Sequence, residues 1–92
     1  MSDWKPVGRS DVRSRQQGEE LALADPENSK VHFLNETAEF IWELCDGDHT
    51  LLDIEMEIRS CFDVPPEADI RADIERTLVS LDKKGLLEPR GH

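Results

Sequence analysis

Few side chains in this 92-residue chain have the types and spacing that chemistry requires. Cys45 and Cys61 supply thiols, but no CxxC and no paired histidine spacing accompanies them. Each falls inside an apolar helical pattern, so both read as buried, reduced side chains suited to a reducing cytoplasm. His32 sits in a short apolar stretch with no carboxylate or nucleophile nearby in sequence to make it an acid-base group. Asp46, Asp48, Thr50 and Glu57 have the spacing of positions 1, 3, 5 and 12 of a calcium loop, yet Leu51 stands where that loop needs glycine. A helix starting after Thr50 would also consume the loop. No phosphate-cradling glycine loop, HExxH or GxSxG occurs, and no nucleophile has a base at recognisable spacing. The expectation is a protein that is not an enzyme, with no catalytic residues, no metal and no cofactor.

What remains is a surface for binding, and charge narrows its partners. The chain carries 21 acidic and 11 basic residues, a net charge of -10. Residues 1–18 sum to +2, residues 19–57 to -11 and residues 58–92 to -1, so the acidity lies in the middle third. From Glu36 to Glu57 eight carboxylates (Glu36, Glu39, Glu43, Asp46, Asp48, Asp53, Glu55, Glu57) occur without a lysine or arginine. They form either a solvated surface or a docking patch for a basic enzyme. Nucleic acid is disfavoured as a partner, because phosphate neutralisation by basic residues supplies most of such affinity. A membrane is disfavoured too: the N-terminus lacks a signal-like apolar region and no run approaches the roughly 18 apolar residues of a span.

The elements that must carry such a surface follow from periodicity. With 37% hydrophobic residues in periodic blocks, the chain can bury one modest core. Val12 to Gln16 has the short period of a strand, and Glu20 to Ala24 places Leu21 and Leu23 on one face. Asp25-Pro26-Glu27-Asn28-Ser29 has turn chemistry, and Lys30 to Leu34 reads as a third strand with Val31 and Phe33 on one side, His32 and Leu34 on the other. Three consecutive strands predict a small antiparallel sheet. At Asn35, a good N-cap, the period becomes helical: Ala38, Ile41, Trp42 and Cys45 form a stripe, widened by Phe40 and Leu44 and stopped at Gly47. Thr50 and Asp53 resemble a capping box before a second stripe of Leu51, Ile54, Ile58 and Cys61 or Phe62. Pro66 is placed to open a third helix, whose seam is Ile70, Ile74, Leu78 and Leu81 and whose stop is Gly85. Leu86-Leu87-Glu88 reads as a short terminal strand. Residues 1–8 and 89–92 read as flexible ends around a domain spanning 9–88.

The stretch His32-Phe33-Leu34-Asn35-Glu36-Thr37-Ala38, continued by Ile41-Trp42-Glu43-Leu44-Cys45-Asp46-Gly47 and Thr50, resembles the PqqD family. The likeness extends through Ile54, Asp73, Ile74, Leu78, Leu81 and Gly85-Leu86-Leu87, covering residues 9–87, with the block from Leu34 to Gly47 its most specific part. It implies an α+β, winged-helix-like domain, a three-stranded antiparallel sheet followed by a three-helix bundle. It also implies a non-catalytic peptide chaperone of the kind used in pyrroloquinoline quinone biosynthesis and other ribosomal peptide pathways. Such proteins bind the leader of a precursor peptide as an added strand and present it to a modifying enzyme, such as a radical SAM protein.

Carried over by position, the receiving strand is Lys30, Val31, His32, Phe33 and Leu34, and the flanking helix spans residues 67–84. An edge strand offers unpaired N–H and C=O groups to an extended peptide, while alternate side chains and an apolar groove give selectivity. Alternation alone does not say which strand face meets the helices, so Phe33 is either a ligand contact or core. On the helix, Arg71, Glu75, Leu78, Val79 and Asp82 form a mixed strip beside the core seam, either lining a groove or solvated. Arg71 and Arg76 are suited to pairing leader carboxylates. Two other readings compete with the chaperone. A winged-helix DNA-binding regulator would use residues 67–84 for recognition, but that segment sums to -1. A scaffold that docks on an enzyme without any peptide would use the acidic run.

Overall fold

The computed structural model describes residues 4–89. The order is β1 (Arg13–Gln17), β2 (Glu20–Asp25), β3 (Lys30–Leu34), α1 (Glu36–Glu43), α2 (Leu51–Cys61) and α3 (Ile70–Lys83). The sheet is antiparallel in the order β1-β2-β3, as the strand periodicity predicts. Its register puts Leu21, Leu23, His32 and Leu34 on the helix-facing side and Ala22, Ala24, Val31 and Phe33 on the other. Leu21, Leu23 and Leu34 join Ile41, Ile54, Ile58, Ile74, Leu78 and Leu81 in one buried cluster. The α+β class and the three-strand, three-helix order are as expected.

Local chemistry explains the helix boundaries. The Asn35 side chain accepts a hydrogen bond from the Ala38 N–H, and Thr50 and Asp53 close a reciprocal capping box. Two boundaries differ from expectation. The first helix ends at Glu43, short of Gly47, because the backbone of residues 45–47 is taken by the N-terminal segment. Gly8 N–H donates to the Cys45 carbonyl, and Gly47 N–H donates to the Pro6 carbonyl. The third helix does not open at Pro66. Ala68 N–H bonds the Pro65 carbonyl in a turn, and Asp69 then caps Ala72, so the helix begins at Ile70.

The N-terminal segment is the main departure from the sequence reading. Of the residues expected to be loose, 1–3 lie outside those described, but 4–8 are built into the domain. Pro6 is fully buried, Val7 bridges to Asp46 and Gly8 bridges to Leu87. The terminal segment Leu86–Glu88 docks here, on residues 7–9, and not on the three-stranded sheet: Arg9 N–H donates to the Leu86 carbonyl and Glu88 N–H to the Val7 carbonyl. At the other end Pro89 is exposed, and residues 90–92 lie outside those described. Cys45 is buried as expected, but Cys61 at the end of α2 is exposed.

Candidate functional site

Among the described residues both β1 and β3 have a free edge, since each pairs only with β2. They differ in what lies beside them. β1 reads Arg-Ser-Arg-Gln-Gln and is exposed along its whole length. β3 borders a groove of about 480 Å³ against α3, floored by Leu34 and Ala38 and walled by Thr77, Ser80 and Leu81. An extended segment laid along β3 would satisfy its free backbone groups and place alternate side chains in that groove. At β1 it would gain the hydrogen bonds without such a groove.

The pleat answers the question left open by alternation. Val31 is 56% and Phe33 53% exposed, on the face away from the helices, so Phe33 is not core, and Phe33 also borders the groove against α3. Leu34 is buried in the core. His32 is half-buried, and its Nε2 has no hydrogen-bond partner among the described residues. Lys30, first on the strand, shares the pleat of His32 and Leu34 and is exposed.

The strip expected on the third helix is not brought to β3. Leu78 is a core residue, 2% exposed. The Arg71 guanidinium lies 3.0 Å from the Glu55 carboxylate of α2, which fixes it on the opposite side of α3. Glu75 and Val79 line an adjoining shallow pocket with Ala72 and Lys83, which meets the β3 groove at Arg76, Ser80 and Lys84, and Asp82 is exposed. The face turned to β3 instead carries Asp73, Arg76, Thr77, Ser80, Leu81 and Lys84. Arg76 is paired with Asp73 on the same helix. At about 100° per residue, the expected strip is rotated by more than a third of a turn from this face. The sequence does show the right spacing, since Asp73, Thr77, Ser80 and Lys84 recur at i, i+4, i+7 and i+11. Choosing between two such strips requires knowing on which side of α3 the sheet lies.

The acidic run is divided among different local tasks. Asp53 is held below its usual carboxylate range by the hydrogen bonds of the capping box. Asp46 accepts from His49 at 2.9 Å, which lowers the aspartate pKa and raises that of the imidazole. Glu55 pairs with Arg59 and Arg71. Glu36, Glu39 and Glu43 join Glu19 and Glu20 around a depression floored by Phe40 and Phe62, whose rings meet edge to face at 5.2 Å. Among the described residues no group of three His, Cys, Asp or Glu side chains is arranged to hold a metal ion. No helix among them is long and apolar enough to cross a membrane.

The described residues form a small α+β domain, three strands followed by three helices, with an open β3 edge. The profile of the family described as coenzyme PQQ synthesis protein D (PqqD) matches residues 20–87, and the chain belongs to that family. Three solved structures share the fold. The PqqD truncation of Methylobacterium extorquens PqqCD, described as a functional and stand-alone recognition element for ribosomally synthesized and post-translationally modified peptides, is 30% identical. That match covers 91% of this chain and 88% of the other, with a TM-score of 0.73. A lasso peptide synthetase B1 complexed with a leader peptide is 23% identical, covering 94% of this chain and 100% of the other, with a TM-score of 0.78. TbiB1 in complex with the TbiA(beta) leader peptide is 21% identical, covering 94% and 99%, with a TM-score of 0.77. At these two identities the likeness speaks to the fold alone. No curated protein sequence matches the chain.

Proposed function

We propose that this chain is a non-catalytic peptide chaperone. It binds the leader of a ribosomally synthesised precursor as a fourth strand along Lys30–Leu34 and presents the precursor to a modifying enzyme, such as a radical SAM protein, in the cytoplasm. The observation that carries the reading is the free edge of β3 lying beside the α3 groove. Main-chain hydrogen bonds along the edge supply affinity that depends little on sequence, and the groove supplies selectivity. Family membership and the two leader-bound structural relatives support the same reading. The chain's own residues bind and orient the peptide, leaving the covalent chemistry to the enzyme. The DNA-binding alternative has little electrostatic support, because α3 offers its sheet-side groove only Lys84 and an arginine already paired with Asp73.

The test is an NMR titration with synthetic leader segments of candidate precursor peptides. Amide shifts are expected at residues 30–34 and along the 73–84 face of α3. Shifts confined to Glu36–Glu57 would overturn strand addition and make the acidic helices the binding surface.

A further inference from the structure

Electrostatic polarity distinguishes the two ends of the β3 groove. Because Arg9 bridges Asp25 and Gly85, the start of β3 lies beside the end of α3, and the two walls run antiparallel. Asn28, in the turn before β3, also approaches Gly85, whose added Cβ would lie 3.9 Å from the Asn28 amide nitrogen. Lys84 lines the groove at the end of α3, and Lys30, at the start of β3, lies beyond the lining residues on that same side. Neither has an ion-pair partner among the described residues. Asp25, the cross-strand neighbour of Lys30, is already engaged by Arg9 and Asn28. At the opposite end lies Asp73, whose charge is offset by Arg76. A groove on a protein of net charge -10 thus has one end with uncompensated basic charge and one end whose charges cancel.

We propose that Lys30 and Lys84 determine specificity: the bound peptide carries an Asp or Glu at the end of its paired stretch that meets them. This rests on the strand-addition reading and adds the chemical class and placement of the peptide. The arrangement works by attraction at one end, so a peptide slid or reversed along the edge loses that pairing. Lys84 also complements the negative end of α3. That role needs Lys84 alone, and Lys30, on a different element, has no part in it.

The experiment selects a library of random twelve-residue peptides, by mRNA display, against the full chain and against Lys84→Glu and Lys30→Glu. Binders are then mapped by amide shifts. Enrichment of Asp or Glu at one end of the paired segment is expected, with its loss or replacement by Lys or Arg on the variant chains. For one such binder, Lys84→Glu is expected to weaken affinity roughly fivefold in low salt, since an exposed ion pair is a small term and reversal turns attraction into repulsion. The difference should shrink at about 1 M salt, where screening is nearly complete. Binders that shift residues 30–34 but show no acidic preference, selected equally by both variants, would overturn the proposal while leaving strand addition intact. A library whose binders all shift other surfaces, or that yields none, would overturn both. Both lysines are exposed, and circular dichroism of the variants checks that the fold is retained.

Discussion

Arg9 and Asp25 form an ion pair that ties the turn before β3 to the end of α3. One guanidinium nitrogen lies 3.2 Å from the Asp25 carboxylate and 2.8 Å from the Gly85 carbonyl. The carboxylate also accepts from the Asn28 amide at 2.8 Å and from the backbone N–H groups of Glu27 and Asn28. Its side chain is inaccessible to solvent, so almost every lone pair is matched by a protein donor. Since β3 and α3 are the two walls of the groove, this pair sets their spacing at the basic end.

The first prediction is a pH dependence. The Asn28 amide, then Arg9, hold the Asp25 carboxyl down at about 2. A carboxyl whose folded pKa lies below its unfolded value of about 3.9 contributes stability above that value and loses it as pH falls. The melting temperature should therefore drop between about pH 4 and pH 2. Asp25→Asn, which keeps an acceptor for the turn, should remove that part of the drop. Melting curves across the window check this, and an unchanged acid profile in the variant would refute it.

Gly8 supplies the second. A Cβ built there would lie 2.6 Å from the tip of the Trp42 indole and within 3.1 Å of two further ring carbons. The ring is half-buried against the core, so it cannot swing clear without disturbing neighbours. Gly8→Ala should cost about 1–3 kcal/mol through overpacking. Denaturant melts compare it with Ser10→Ala at an exposed site nearby, which should change stability by less than about 0.5 kcal/mol.

The two cysteines should separate cleanly. Burial, with a smaller contribution from Asp46, pushes the Cys45 thiol up to about 12, and its Sγ–H is directed at the Ile41 carbonyl at 3.2 Å. Cys61 is exposed. Because the thiolate is the reactive form, iodoacetamide at neutral pH should label one site in the native protein and two in denaturant. Peptide mapping should place the native label on Cys61.

The sheet and the receiving strand are legible in the sequence because their signals are local. Asp25-Pro26 and the αL-tolerant Asn28-Ser29 region fix the turn, and alternation from Lys30 to Leu34 then gives β3 to the residue. Features that depend on distant partners are not legible. Gly8 pairs with Leu87 from almost the other end of the chain, and Asp25 reads as a turn residue because nothing nearby announces Arg9 as its partner. Cys61 lies on the apolar stripe of its helix, but at the last turn, where the stripe has run past the core. The phase of α3 is hidden for a related reason. Its core seam is visible from spacing, yet which flank of that seam meets the sheet is set by how the helix crosses it.

That difference of phase gives a fourth prediction. Leu78→Ala empties a fully enclosed position and should cost about 2–5 kcal/mol. Its neighbour Val79 is 52% exposed and lies outside the β3 groove, so Val79→Glu should leave both the melt and peptide affinity within error of the parent. Loss of peptide binding in a folded Val79→Glu variant would move the recognition face to the strip around Glu75 and Val79.

The fifth prediction separates the groove from the strand edge. Ser80 is half-buried in the α3 wall facing β3, and its side chain makes none of the hydrogen bonds that hold the helix. Replacing it with tryptophan adds a side chain that buries roughly 150–250 Å² when enclosed, which should occupy much of the space between the walls. The β3 backbone groups remain free, so the variant keeps the strand's hydrogen-bonding capacity while closing the space for alternate side chains. Ser80→Trp is expected to weaken leader binding at least tenfold, or about 1.4 kcal/mol, with an unchanged circular dichroism spectrum. Glu75→Trp, which places the same bulk on the far side of α3, should bind as the parent does. If calorimetric titration finds equal affinities for the two variants, the peptide is held by the edge of β3 alone, and selectivity must reside in the exposed pair Val31 and Phe33 on the outer face of the strand.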